Sequence, residues 1–423
     1  MIFRIQFQIL AIAITVSLST ALSSTGKAQT PHEPVVARVE MRLSDGEKLV
    51  DVIEKGDLLT VIEERDDVYV IKTHDGAKGA VDKVNAVKIP EAVEIYTELI
   101  LRQPSAGRFY TLRASSYWAL NETEKALGDF DRAIELGYEK PHAYISRGLF
   151  HASQGDHEQA IADYNKAIEI DPKDIAPLIN RAAVHMVRGE YTEAAKDYTD
   201  ALAKDTSRNA LLHQRAIAYK AAGDFAKASD DFSTLIKRDS KDVVAIMGRG
   251  YIRFQQENHA AAIKDFAAAI KINPKDAVAY NNLGYNRFKI GEYAQALKDY
   301  NKAIELNEKY SLAHQNRAWL LATVTNKDLR NPKAAVKSAK LACELTNFQS
   351  VSDIAALAAA LAANGQFKEA VGWQEKVVAM VNEHYKVFAT KTLERYKDER
   401  PFAQDPDKAN QAERAAAEAK GKK

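Results

Sequence analysis

The chain has 423 residues and carries 59 lysines and arginines against 58 aspartates and glutamates, so it is close to neutral. A chain of this length exceeds a single hydrophobic core, which predicts several domains or a repeat array. The charge balance argues against a nucleic-acid-binding protein, which needs a basic stripe, and the single cysteine excludes an intramolecular disulfide and a cysteine-based zinc site.

The first 28 residues have the organisation of an export signal. Arg4 supplies a positive start, an apolar run extends from about Ile9 to Leu22, and small residues follow, with cleavage sites after Ser23 or Ala28. An uncleaved anchor is the alternative, because the apolar run approaches the length that spans a bilayer. The sequence therefore predicts a periplasmic or secreted protein, or one that this segment anchors in a membrane.

Residues 35–89 alternate between apolar and polar side chains in short runs: VVARVEMRL, LLTVIEE, DVYVIKT and KGAVDKV. Turn-forming residues separate these runs, so the pattern predicts about five short strands. The stretch EKGDLLTVIEERDDVYVIKTHDGAKGAVDKVNAV resembles the bacterial SH3-like domain, which implies a small all-β SH3-like barrel. Val68 and Ala80 stand where that family usually has tryptophan, and aromatic faces are what such a barrel would use to hold a ligand. A packing domain is therefore favoured.

From residue 107 the chain repeats with a period of 34 residues, and ALKDYNKAIEL at 296–306 nearly restates AIADYNKAIEI at 160–170. Counting residue 107 as position 1, each regular repeat has a small residue at position 8, alanine at position 20 and a large aromatic residue at position 24. Glycine near position 15 and proline at position 32 favour helix ends. The pattern predicts two helices per repeat, and neighbouring pairs must stack because one pair cannot bury its apolar faces alone.

The array resembles a tetratricopeptide-repeat protein, as shown by AYISRGLFHASQGDHEQAIADYNKAIEIDP at 143–172 and AYNNLGYNRFKIGEYAQALKDYNKAIELN at 279–307. The resemblance implies a mainly α protein, an α-solenoid in which antiparallel helix pairs form a right-handed superhelix. The expected segments are a half-repeat connecting helix at 90–104, six regular repeats at 107–310, two divergent repeats at 311–384, and a capping helix with a charged tail at 385–423.

No motif in the sequence marks an enzyme. It has no Walker loop, no Gly-x-Ser-x-Gly elbow and no His-Glu-x-x-His pair. The ten histidines lack the i, i+4 spacing of a metal site on a helix, and Cys343 lies in an alanine-rich segment where it is expected to be buried. We therefore predict a protein that is not an enzyme, with no cofactor, no metal and no small-molecule substrate.

Arginine recurs at position 7 of the repeats and aspartate at position 23. We expect these residues to pair between neighbouring helices, in a ladder that Leu283 interrupts. Because exposed ion pairs contribute only about 0–1 kcal/mol each, the expected role of the ladder is to set the register of the helices.

The tetratricopeptide-repeat resemblance implies a binding surface on the concave wall, built by positions 2, 5, 9, 12 and 13 of each first helix. Aromatic side chains there would anchor an extended peptide or a partner helix. The predicted partner-binding residues are Trp118, His213, Lys220, Tyr251, Phe254, Tyr285, Phe288 and Trp319. The alternative is that these residues pack between repeats or beneath the C-terminal cap.

The sequence thus predicts an exported interaction scaffold. Its predicted partner is a protein or peptide, with association at the cell envelope and without nucleic acid. The alternative function is cell-wall or glycan binding through the SH3-like domain.

Overall fold

The computed structural model describes residues 33–402 except 46–47, 74–75 and 139. The export signal predicted over residues 1–28 and the predicted charged tail, within 403–423, lie outside the described residues. The chain divides into two compact units, Met1–Ala218 and Tyr219–Lys423, and each is described by itself.

The first compact unit begins with a small β module. Its strands are β1 (Val35–Ala37), β2 (Met41–Asp45), β3 (Lys48–Ile53), β4 (Leu58–Glu64), β5 (Val68–Lys72), β6 (Lys78–Asp82) and β7 (Ala86–Lys88). Five of them form a sheet in the order β6-β5-β4-β1-β7, while β2 and β3 form a separate hairpin. Leu43 of the hairpin packs so tightly on Gly79 of β6 that a Cβ atom at Gly79 has no room. The module is thus a sheet with a covering hairpin, and the closed SH3-like barrel stays a prediction.

A continuous hydrophobic cluster joins this module to the helices that follow. Helix α1 (Val93–Arg102) buries Tyr96, whose hydroxyl donates a hydrogen bond to the Gly56 carbonyl at 3.2 Å. Val36 of β1, Tyr96 of α1 and Phe109 of the next helix belong to the same buried cluster. Lys55 and Glu98 form an ion pair beside it. The β module therefore rests on α1 through a shared core and not through a flexible linker.

Helix pairs make up the rest of both compact units. The first compact unit holds α2 (Gly107–Ala119), α3 (Thr123–Glu135), α4 (Pro141–Gln154), α5 (His157–Ile170), α6 (Ala176–Arg188) and α7 (Tyr191–Lys204), and α8 (Asn209–Ala221) crosses its boundary. The second holds α9 (Phe225–Arg238), α10 (Val243–Gln255), α11 (His259–Ile272), α12 (Ala277–Lys289), α13 (Tyr293–Leu306), α14 (Ser311–Thr323), α15 (Pro332–Leu345), α16 (Val351–Ala363), α17 (Phe367–Met380) and α18 (Glu383–Lys397). The prediction of stacked helix pairs with a mainly α fold is confirmed.

Local chemistry explains where these helices begin and end. Helix α4 ends at Gly155, whose φ of 88° lies in the left-handed region that favours glycine. Helix α10 begins after Asp242, whose carboxylate accepts a hydrogen bond from the Ala245 amide at 2.9 Å. None of the helices within the described part of the chain is long and apolar enough to cross a bilayer.

The repeating core comes from positions 8 and 24. In the second repeat Tyr164 is fully buried, and a Cβ atom built on Gly148 would lie 2.7 Å from its ring. In the sixth repeat Tyr300 fits against Gly284 in the same way. The small residue thus leaves room for the aromatic ring between the two helices of a pair, which is why the two residue types recur together.

The arginine–aspartate pairs form, but they are not exposed. Carboxylate and guanidinium lie 2.6–2.7 Å apart in Arg113–Asp129, Arg147–Asp163, Arg181–Asp197 and Arg249–Asp265. The arginine side chains are 17–22% exposed and the aspartates 4–11%. The expectation of exposed pairs is therefore wrong, because both helices of the pair cover the aspartate.

Each of these arginines also reaches the repeat before its own. Besides its bonds to Asp163, Arg147 donates from Nη1 to Asp131 at 2.7 Å, and Asp131 is position 25 of the preceding repeat. Arg249 donates in the same way to Ser233 at 3.2 Å. The arginine thus binds three helices together, the two of its own repeat and the second helix of the repeat before it, and its effect on register follows from that geometry.

The sixth repeat replaces the whole arrangement. Leu283 stands at position 7, and position 25 of the preceding repeat is Ala267, so the donor and its second acceptor are both apolar. Leu283 is buried, and Ala267 packs against the cluster that contains it. Asp299 keeps a partner because Arg287, at position 11, donates to it at 2.7 Å. The interruption at Leu283 therefore does not leave a buried carboxylate without a countercharge.

Candidate partner-binding surface

Three successive first helices of the second compact unit form one wall. Helices α12 and α14 are in contact, and Asn316 of α14 donates a hydrogen bond to Asn281 of α12 at 2.9 Å, with both residues buried. The rings of Phe254 on α10 and Tyr285 on α12 meet at 5.4 Å between centroids. The apolar wall, as we call it, consists of Val244, Tyr251 and Phe254 of α10, Val278 and Tyr285 of α12, and Leu312 of α14.

Aromatic side chains follow one another along this wall. The Tyr251 and Phe254 ring centroids are 5.8 Å apart, and Tyr285 then stands perpendicular to Phe254. At the other end the Lys220 ammonium lies 5.2 Å from the Tyr251 ring centroid, in a cation–π contact. The Tyr251 hydroxyl accepts a hydrogen bond from Gln255 Nε2 at 2.8 Å. Four predicted residues, Lys220, Tyr251, Phe254 and Tyr285, are thus brought together.

A cleft of about 400 Å³ opens at the Lys220 end, lined by Lys220, Phe225, Tyr251 and Gln255. Phe225 and Gln255 are additions to the predicted set. Gln255 stands at position 13, one of the positions expected to face a partner, but it is neither aromatic nor basic like the predicted binding residues. Phe225 begins the second helix of its repeat, where no pattern pointed to a binding role.

The most exposed apolar residues of the wall are aliphatic and were missed by the sequence reasoning. Val244 is 66% exposed, Val278 46% and Leu312 42%, beside Tyr251 at 41%. All three aliphatic residues stand at position 2 of successive repeats, so the signal was present as a recurrent apolar residue at a first-helix position. Exposed apolar residues that recur at the same position of three successive helices are typical of an interaction surface, whereas single exposed apolar residues are ordinary.

Tyr285 is half-buried and acts as a neutral group. Burial raises the pKa of its hydroxyl, and the negative charge of Glu257, in the turn after α10, raises that pKa further. The hydroxyl therefore stays protonated at neutral pH and is able to donate a hydrogen bond to a partner.

Phe288 does not lie on the surface. It is 7% exposed, its ring centroid is 5.5 Å from that of Tyr293 on α13, and it belongs to the large core that runs through the last repeats. The first helix of the sixth repeat thus turns Phe288 towards its own second helix. Phe288 therefore packs in the core, as in the alternative to partner binding, and does not face a partner.

Trp319 is covered by the residues that follow α18. Its ring centroid lies 5.4 Å from that of Phe402, which also approaches Phe388 of α18 at 6.2 Å. The Pro401 carbonyl accepts a hydrogen bond from Arg395 Nε at 2.8 Å and holds this segment in place. Trp319, the aromatic residue at position 9 of the seventh repeat, is therefore covered by Phe402 of the same chain.

Removing the Phe402 ring is expected to expose Trp319 to water. In a chain that carries Trp118→Phe and Trp373→Phe, so that Trp319 is the only fluorophore among the three tryptophans, Phe402→Ala should shift the emission to the red and increase acrylamide quenching. Phe348→Ala is the control, since Phe348 stacks on residue 373 at 5.2 Å and not on Trp319. An unchanged Trp319 spectrum in Phe402→Ala would contradict the contact.

The two other predicted residues lie in the first compact unit. Trp118 is half-buried and meets Phe150 edge-on, at 5.8 Å between centroids, which places it in a small aromatic cluster with Phe130. His213 is half-buried on α8. In the first compact unit Trp118 therefore serves mainly as packing.

A small cleft of about 190 Å³ lies on the β module, lined by residues of the hairpin and β6 such as Met41, Leu43 and Val81. Ala80, where the related family has tryptophan, is exposed and carries no ring. Lys83 lies 5.1 Å from the Tyr69 ring centroid, so this aromatic face is already in contact with a cation. The cleft provides no aromatic platform of the kind that holds glycans.

Groups that carry chemistry elsewhere are buried or dispersed. Cys343 is fully buried, and burial raises the pKa of its thiol to about 12, so the thiol stays neutral. Among the residues that the structure describes, no group of three histidine, cysteine, aspartate or glutamate side chains is arranged to hold a metal ion.

Several solved structures are similar to parts of this chain. YrrB, described as a TPR protein with an unusual peptide-binding site, has 24% identity and a TM-score of 0.39, covering 44% of this chain and 95% of its own. MamA from Desulfovibrio magneticus RS-1 has 21% identity and a TM-score of 0.38, covering 42% and 97%. The C-terminal part of a TPR repeat-containing protein from Cytophaga hutchinsonii has 16% identity and a TM-score of 0.49, covering 54% and 94%.

Family comparison agrees with the period and the helix pairs. The tetratricopeptide repeat matches this sequence over residues 79–137, 111–175, 213–277, 277–310 and 354–387. Together these matches cover more than half of the chain, and they include α10 and α12 of the apolar wall. The chain belongs to the tetratricopeptide-repeat family.

Proposed function

We propose that this protein is an exported, non-enzymatic scaffold that binds a peptide or a partner protein on the apolar wall of its second compact unit. The observation that supports this function is the recurrence of an exposed apolar side chain at position 2 of three successive first helices: Val244 of α10, Val278 of α12 and Leu312 of α14. Apolar side chains stabilise a fold when they are buried, and these side chains remain in contact with water. Exposed apolar patches of this kind mark surfaces that a partner covers.

The wall is suited to binding because it is already ordered. Tyr251, Phe254 and Tyr285 hold one another through ring contacts of 5.4–5.8 Å, and Gln255 fixes the Tyr251 hydroxyl. Side chains that are held in place lose little conformational entropy when a partner binds. Aromatic side chains of this kind supply most of the binding energy at many interfaces.

The test uses four substitutions on the wall and four matched substitutions elsewhere. The wall variant carries Val244→Ser, Val278→Ser, Leu312→Ser and Tyr251→Ser. The control variant carries Val84→Ser, Val187→Ser, Leu101→Ser and Tyr385→Ser, which change the same residue types at positions that are 58–79% exposed. All eight side chains are exposed, so both variants should keep the helicity of the parent chain, as circular dichroism would show.

Residues 29–423 would be used to capture proteins from an envelope extract of the source cell, and each captured protein would then be purified and titrated by calorimetry. We expect a partner that binds the parent and the control variant but binds the wall variant at least about tenfold more weakly, since each hot-spot anchor contributes 1.4 kcal/mol or more. A partner that binds both variants equally would show that the wall is not the site. Retention of the wall variant on purified cell wall would favour the β module instead.

A further inference from the structure

Acidic residues are absent from the first helices of the first seven repeats. Although the whole chain has 58 acidic residues, no aspartate or glutamate occurs within α2, α4, α6, α8, α10, α12 or α14, while every one of these helices carries arginine. The near-neutral total thus hides a separation of charge between first helices and the rest of each repeat.

Within the second compact unit, two places on the wall helices carry positive charge that no carboxylate balances in full. Arg249 and Arg253 of α10 both bind the single carboxylate of Asp265, each at 2.7 Å. Arg317 of α14 donates to Ser338 and Asn301, which are neutral. Its desolvation without an acidic partner lowers the pKa of the Arg317 guanidinium. These sites leave a surplus of positive charge behind the apolar wall.

Two lysines add to this surplus at the carboxyl ends of the first helices. Lys220 of α8 contacts the Tyr251 ring, and Lys289 ends α12 in a half-buried position. Acidic groups of the neighbouring turns act in the opposite direction: Glu292 lies 3.6 Å from Arg287, and the charge of Glu257 reaches Tyr285. Because Asp299 already balances Arg287, these two acids offset part of the surplus. Lys220, Lys289 and Arg317 have no carboxylate within ion-pair distance among the residues that the structure describes, so positive charge remains at these three side chains.

Phe402 shows how an aromatic side chain outside a repeat is received on this type of helix. It packs on Trp319, which is position 9 of the seventh repeat, while Arg395 holds the backbone carbonyl before it. Tyr251 and Tyr285 are the position-9 residues of the fifth and sixth repeats, and they offer the same kind of ring face. An aromatic residue of a bound segment would therefore fit against them by edge-on or tilted ring contacts.

We infer that the partner of the apolar wall is an acidic peptide segment, in which aromatic or aliphatic side chains contact the wall and clustered aspartates or glutamates lie near Lys220 and Lys289. The inference rests on the proposed function, since it names the chemistry of the partner for the same surface. Charge complementarity of this kind selects partners and speeds their encounter, and it weakens as salt rises.

A random dodecapeptide library displayed on phage would be selected in parallel against residues 29–423 and against the wall variant. We expect peptides enriched only on the parent chain, with a net negative charge and at least one aromatic residue. Enriched peptides that are neutral or basic would overturn the acidic inference and leave the proposed function standing. Equal enrichment on the wall variant would overturn the proposed function itself.

The most enriched peptide would then be synthesised and titrated by calorimetry at 50 and 300 mM sodium chloride. We expect the parent chain to bind the peptide at least tenfold more weakly at 300 mM than at 50 mM salt. At 50 mM salt, a loss of at least tenfold is also expected for the peptide whose acids are changed to amides and for the chain that carries Lys220→Glu and Lys289→Glu. The control carries Lys264→Glu and Lys298→Glu, two exposed lysines on second helices, and should keep its affinity within about twofold. Equal loss in both variants, or competition by a (dT)20 oligonucleotide at the same concentration, would show non-specific attraction of anions and overturn the inference.

Discussion

Replacing Arg147 with leucine and Asp131 with alanine, which copies the sixth repeat into the second, is expected to lower the free energy of unfolding by about 3–5 kcal/mol. The loss arises because Asp163, whose side chain is only 6% exposed, would keep its negative charge without the guanidinium that now binds both of its oxygens. Leucine itself is accommodated at this position in the sixth repeat. The measurement is urea denaturation followed by circular dichroism.

Adding His151→Arg to the same chain is expected to recover most of that loss. Position 11 is arginine in the fifth and sixth repeats, and there Arg253 and Arg287 each reach the position-23 aspartate of their own repeat at 2.7 Å. The triple variant would thus give Asp163 the partner that Asp299 has. This rescue separates the loss of a countercharge from a simple packing defect.

The exposed pair of Arg132 and Glu135 supplies the control, since both side chains are more than half exposed. Arg132→Leu should leave the unfolding midpoint almost unchanged, because water already solvates both charges. If Arg147→Leu with Asp131→Ala were as mild as Arg132→Leu, or if His151→Arg gave no recovery, the buried ladder would have no role in stability.

Truncating Tyr300 to alanine is expected to cost about 3–5 kcal/mol of unfolding free energy, because its ring is 1% exposed and fills the space between the two helices of the sixth repeat. The loss combines the transfer of the ring with the cavity it leaves. Tyr385→Ala is the matched control, since that tyrosine is 58% exposed on α18. A loss at Tyr300 no larger than the loss at Tyr385 would contradict the packing seen here.

The same site predicts that Gly284 and Tyr300 are energetically coupled. In the parent chain, a Cβ atom at Gly284 would lie 2.8–2.9 Å from the Tyr300 ring, so Gly284→Ala should destabilise it. In the Tyr300→Ala chain the ring is gone and the Asp299 Cβ, at 3.1 Å, is the close neighbour that remains. Gly284→Ala should therefore be less destabilising there by about 1 kcal/mol or more, because the ring no longer opposes the preference of a helix interior for alanine over glycine. Equal effects in the two backgrounds, measured in the same urea series, would show that the glycine and the ring are not coupled.

Only part of the candidate site could be predicted from the sequence. Positions 9 and 12 of the first helices drew attention to Tyr251, Phe254 and Tyr285, which the fold does bring together. Position 12 also pointed to Phe288, although that residue is buried against Tyr293. Phe254 and Phe288 both stand at position 12, so the repeat pattern cannot tell the half-buried residue from the buried one. The difference comes from the side chain that begins the following helix, which for Phe288 is Tyr293.

The sequence by itself determined the repeat and its core. Small residues at position 8 and aromatic residues at position 24 specify helix pairs that pack in one way, because this complementarity is local and is restated every 34 residues. The tertiary structure alone decided the exposure of the ladder and the state of each aromatic residue. Phe402 covers Trp319 from more than eighty positions further along the chain, and Asp163 loses water because two helices close over it. Burial depends on which side chains from distant parts of the chain pack together, and a 34-residue repeat pattern does not specify those contacts.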